Sequence, residues 1–161
     1  MLEHDVPRSR SLFLNSLFYV RSVASQLLRY VKMPSLSLPR HKGDTETAEQ
    51  IVAAGMPSIE PLLGGLLEWF QDYNWPVARA LEPVLNQLGE EVVPHVRDVF
   101  ESDDHTWKYW MIVVVIPKLT DAAQEKLRPD IVRMADKPAA GEVAEEVQLE
   151  VMEYLEDNPS T

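Results

Sequence analysis

Three prolines recur at nearly even intervals along the middle of this chain: Pro61, Pro94 and Pro129 are 33 and 35 residues apart, and Trp75 and Trp107 are 32 apart. Spacings of that size belong to helical solenoids, in which a helix pair buries its apolar face only against the next pair. The spacing therefore predicts an all-α stack of about three helix pairs of the HEAT-like (α-α superhelix) kind.

The segments between the markers fit that prediction. Asp44 is placed to cap a helix reaching Ala54, with Glu46 in its first turn, Ala48, Ile51 and Val52 on one side and Gly55 as terminator. Residues 59–71 then put Ile59, Leu62, Leu63, Leu66, Leu67 and Phe70 on one face, interrupted by Gly64 and Gly65. Each glycine costs a helix about 0.5–1 kcal/mol relative to Ala, so the pair marks either close packing, the preferred reading, or a local break.

A second unit opens at Asn74, Trp75 and Pro76, with Val77, Leu81, Val84, Leu85 and Leu88 inward and Gly89 as stop. Its partner over residues 91–100 buries Val92, Val93, Val96, Val99 and Phe100. A third opens at Asp104 and Thr106, continues through the apolar run 111–116 and stops before Pro117. Thr120 is expected to cap its partner, which passes Pro129 and ends near Ala135.

A closing helix over residues 141–154 is expected to turn Val143, Val147, Val151 and Leu155 inward and Glu142, Glu145, Glu146 and Glu150 outward, as a terminal cap requires. The repeat domain is thus expected over residues 36–157, with residues 34–43, which hold Pro34, Pro39 and Gly43, read as a linker ahead of the first helix at Asp44, and a disordered tail at 158–161.

Residues 1–35 read as a separate extension. Phe13, Leu17, Val20, Ala24, Leu27 and Val31 recur at helical steps, which predicts an N-terminal amphipathic helix. Arg21, Gln26 and Arg29 interrupt it, so no apolar run is long enough for a membrane span. Its Arg and Ser content makes mitochondrial targeting the alternative to a cytoplasmic location, although Glu3 and Asp5 sit where presequences avoid acids.

Charge narrows the partners. The first 32 residues hold five Arg and Lys against Glu3 and Asp5, a net of +3, so the remainder carries −14 of the total −11. Such a surface repels nucleic acid and anionic membranes and favours a basic protein partner.

Signatures of chemistry are missing. With no Cys there is no thiolate site, and His4, His41, His95 and His105 fall into no zinc-binding spacing, so no metal or cofactor is expected. Nucleotide-binding glycine motifs and acyl-transfer motifs do not occur, which argues against an enzyme. Asp103 and Asp104 read as helix caps.

The distinctive residues are the polar and aromatic ones at the repeat openings. Asp72, Asn74 and Trp75 at one corner and His105, Trp107 and Lys108 at the next form the candidate partner-binding set, with the two tryptophans as an aromatic anchor. The bland alternative is that Trp75, Trp107 and Trp110 are core between repeats. The leading expectation is a non-catalytic protein-interaction module, with an immunity-type inhibitor of a basic toxin as its specific form. The competing class is a ligand binder or enzyme with a pocket near Trp107, Tyr109 and His105.

The run from Trp69 to Ala78, the cluster Trp107, Lys108, Tyr109 and Trp110, Leu38 and Pro39, and the stretch Gly141, Glu142, Glu145, Glu146 and Val147 together resemble the family described as domain of unknown function 5071. The resemblance covers roughly residues 36–155. It implies a small HEAT-like helical domain and brings no catalytic residue or cofactor.

Overall fold

Helices account for the regular structure throughout residues 36–159, the part of the chain that the computed structural model describes; no strand occurs among the described residues. The amphipathic segment and targeting signal expected within residues 1–35 lie outside them.

Asp44 caps as its position predicts: its carboxylate accepts the Thr47 backbone N–H at 3.4 Å, and helix α1, Thr45–Ala54, follows. Gly55 ends it at φ 58°, in the left-handed region that glycine enters without a Cβ clash.

The next stretch is helical with changing pitch: a 3₁₀ turn Glu60–Leu62, α2 Leu63–Leu67, and a 3₁₀ turn Glu68–Gln71. Helix α3, Pro76–Leu81, passes into a 3₁₀ segment Glu82–Gln87. After a 3₁₀ turn Glu90–Val92 comes α4, Val93–Glu101. Pro61, Pro76, Pro83 and Pro94 each stand in the first positions of their element, where a missing N–H costs no intrahelical bond.

Helix α5, His105–Trp110, widens into a π-helical turn Met111–Val115 and tightens into a 3₁₀ turn Ile116–Lys118. Pro117 has no N–H to offer the Val113 carbonyl, so the regular i to i−4 ladder cannot continue through this point. Helices α6, Asp121–Asp136, α7, Ala140–Ala144, and α8, Val147–Asp157, complete the chain.

Packing joins alternate helices. Helix α1 lies against α3, α2 against α4, α4 against α6, and α6 against α8, while α5 rests on the Glu68–Gln71 turn. The expected apolar stripes of the second unit, from Val77 to Leu88 and from Val92 to Phe100, are buried. Leu62 is only half-buried, and Val113 leaves the apolar run 37% exposed.

The glycine pair serves close packing. A Cβ on Gly65 would lie 2.3 Å from Leu38 Cδ1, so the segment before Asp44, expected as a plain linker, packs Leu36 and Leu38 onto the core.

Four expectations need correction. The closing helix is two helices, because Glu146 adopts a left-handed φ of 61° between α7 and α8. Within it Glu142 points inward and Val143 outward at 52% exposure, the reverse of the apolar pattern. Thr120 stands at the N-cap of α6, but its side chain makes no cap bond and its hydroxyl is buried without a partner; its backbone N–H donates to the Leu88 carbonyl at 3.1 Å instead. At the far end, Asn158, assigned by sequence to a tail, donates through Nδ2 to the Tyr154 carbonyl and accepts Arg128 Nη1 at 2.8 Å.

No helix among the described residues is long and apolar enough to cross a membrane.

Candidate functional site

The corner before α3 is built by Asp72. Its carboxylate accepts the Asn74 backbone N–H at 2.9 Å and the Asn74 amide at 3.0 Å, and its carbonyl accepts the Trp75 N–H at 3.1 Å. This Asx turn delivers Trp75 immediately ahead of Pro76. The Asn74 backbone N–H holds the Asp72 carboxyl below the usual carboxylate range.

Trp75 is half-buried, with its ring edge-on to Trp69 at 6.1 Å between centroids. Lys42 Nζ sits 4.0 Å above the Trp75 ring, and the Val77 N–H, donating to the Lys42 carbonyl at 3.0 Å, keeps residue 42 beside it.

A second ring group joins Tyr73, Trp110 and Tyr109, with Tyr73 and Trp110 5.9 Å apart and Trp110 and Tyr109 5.1 Å apart. The Tyr73 hydroxyl donates to Glu82, which also pairs with Lys118 at 3.1 Å. The Tyr73 hydroxyl, followed by Lys118, holds the Glu82 carboxyl below its usual range. Burial, reinforced by Glu150, Glu146 and Glu153, raises the Tyr109 phenol.

The second corner behaves differently. Asp104 caps α5, accepting the Trp107 N–H at 2.9 Å, as read from sequence. The His105 ring covers Gly141 so closely that a Cβ there would lie 1.9 Å from His105 Nε2, and His105 Nδ1 is buried without a partner. Lys108 is buried, and its ammonium donates to Glu142 Oε1 at 3.1 Å. It therefore has no surface to offer a partner, which corrects its place in the candidate set: a lysine at a helical position facing α7 stays inside when a buried carboxylate meets it.

That carboxylate is the hub sequence reasoning missed. Glu142 accepts both Arg133 nitrogens, at 2.8 and 3.1 Å, and the Ala139 N–H at 2.7 Å. Burial pushes its carboxyl up, but Arg133, the Ala139 N–H and Lys108 outweigh it and bring it down to about 2. The one local signal was a Glu three residues into a helix start, where it can reach back to the backbone N–H that opens the turn.

The six sequence-selected residues do not form one patch. Asp72, Asn74 and Trp75 share the first corner, and no ring contact joins Trp75 to Trp107 among the described residues. Trp107 instead lines a cleft of about 200 Å³ with Gly64, Glu68, His95, Asp98 and Val99. Neither Tyr109 nor His105, expected by sequence beside Trp107, lines this cleft; its other walls come from α2, the Glu68–Gln71 turn and α4. No group of three His, Asp or Glu among the described residues is arranged to hold a metal ion.

Over residues 37–155 the chain matches a known family, DUF5071, described as a domain of unknown function, and it belongs to that family. A search of curated proteins found no match.

Proposed function

We propose that this member of the DUF5071 family is a non-catalytic protein-interaction module that docks a basic partner along its aromatic corners. The observation that carries the reading is the Trp75 corner: a half-buried tryptophan braced by Trp69, set by the Asp72 turn, beside an exposed Asn74. Large aromatics held rigid at a polar rim are the usual anchors of protein interfaces. The charge of −14 carried beyond residue 32 supplies long-range attraction for a basic protein.

The contacts of α2 with α4 and of α4 with α6 support a HEAT-like reading of the helix order, in which successive second helices stack and the turns between helices line an edge.

Affinity capture with the full chain tests the proposal. Wild type is expected to retain a basic protein in a salt-sensitive manner, and Trp75→Ala to retain about tenfold less while unfolding at a similar urea concentration. Equal retention by folded Trp75→Ala removes the corner from the interface.

A further inference from the structure

The cleft lined by α2, the Glu68–Gln71 turn, α4 and α5 holds two carboxylates that form no ion pair among the described residues. Glu68 and Asp98, both exposed, enter it from different helical segments. The cations of nearby helices are committed elsewhere: Arg97 to Asp130, Lys126 to Glu90, Lys118 to Glu82 and Arg133 to Glu142. No Lys or Arg lines the cleft.

Trp107 forms one wall, and Gly64 lets the His95 ring come close beside it, a Cβ at that position lying 3.3 Å from His95 Nδ1. The space of about 200 Å³ exceeds the ~150 Å³ that is enough to hold a benzene ring.

We infer that this cleft receives an arginine side chain of the partner protein, its guanidinium held against Trp107 and between the Glu68 and Asp98 carboxylates. The two acids exclude an anion, and the absence of a three-ligand cluster among the described residues argues against a metal ion. Between the organic cations, guanidinium suits the site better than ammonium. It is planar, stacks on an indole face, is more weakly hydrated, and carries five donors that can serve two carboxylates at once. This inference rests on the reading that the partner is a basic protein and adds the side chain by which that partner is held.

The test titrates the full chain with N-acetylarginine amide at low ionic strength while following the Trp107 indole N–H resonance, assigned by its loss in Trp107→Phe. A saturable shift is expected, with N-acetylcitrulline amide, which has nearly the same shape but no charge, binding about tenfold more weakly or worse. Glu68→Gln combined with Asp98→Asn, both at exposed positions, is expected to weaken the arginine probe about tenfold with the fold intact.

Equal binding of the citrulline probe, undiminished binding by the double variant, Nα-acetyllysine amide binding as tightly as N-acetylarginine amide, or no saturable shift each overturns the assignment. If the arginine probe binds and Trp75→Ala has no effect on partner capture, the Trp75 corner falls and the cleft stands. If a basic partner is captured through Trp75 but the probe does not bind, only the cleft assignment falls.

Discussion

Lys108 and Glu142, 34 residues apart in the chain, meet at 3.1 Å with their side chains only 5% and 1% exposed. The pair fastens α5 to α7. A buried ion pair adds little net stability over apolar residues of the same shape, but breaking it by removing one partner leaves an uncompensated charge inside.

Glu142→Ala strands the Lys108 ammonium and removes the acceptor for Arg133 and the Ala139 N–H. The expected loss is about 3–5 kcal/mol, read from urea unfolding. Combining Glu142→Leu with Lys108→Met removes both buried charges and is expected to recover part of that loss. A double variant less stable than Glu142→Ala would show that the pair does more than neutralise itself.

Acid should act through the same carboxylate. Its folded value of about 2 lies below the ordinary 4.5, so its contribution to stability is complete above pH 4.5 and fades as the pH falls toward 2. Glu150 works in the opposite sense: burial, then Glu153 and Glu146, raise its carboxyl, so protonating it relieves the fold. Urea midpoints measured from pH 6 to pH 2.5 should fall for wild type. Glu142→Gln should start lower and fall less steeply, and parallel curves would contradict the assignment.

Gly141 has no room for a methyl group beneath the His105 ring. Gly141→Ala is expected to cost about 1–3 kcal/mol through overpacking. His105→Ala should relieve that cost, so that the two changes couple favourably in a double-mutant cycle. Additive losses would show that the ring moves aside freely.

Gly65 presents the milder case, because the atom in the way is the end of the Leu38 side chain. In a Leu38→Ala background, Gly65→Ala should stabilise the protein by about 0.5–1 kcal/mol, the helix preference of alanine over glycine. In the wild-type background the gain should shrink or reverse as Leu38 is displaced, which thermal or urea unfolding of the four chains would resolve.

Much of this fold was legible residue by residue. The Asp44 and Asp104 caps, the Gly55 stop and the buried faces of residues 77–100 depend on neighbours within a turn or two, and periodicity reports such neighbours directly. The last helices were misread for the same reason. A charged residue among acids looks solvated by any local rule, and only the approach of Lys108 and Arg133 from other helices makes an inward Glu142 affordable.

The candidate site divides along the same line. The Asx turn at Asp72, Asn74 and Trp75 is a short-range device, and its residue types announce it. Trp107 stands out by residue type alone, but its neighbours Glu68, His95 and Asp98 come from segments 9 to 39 residues earlier in the chain.

By itself the sequence determined the helix caps at Asp44 and Asp104, the stop at Gly55 and the buried sides of residues 77–100, because hydrogen bonding and side-chain spacing act within a few residues. The tertiary structure alone decided which charges are buried in pairs and which acids stand open around a tryptophan. Those outcomes depend on which helix faces which across the core, and electrostatic compensation between distant segments leaves no periodic trace in the chain.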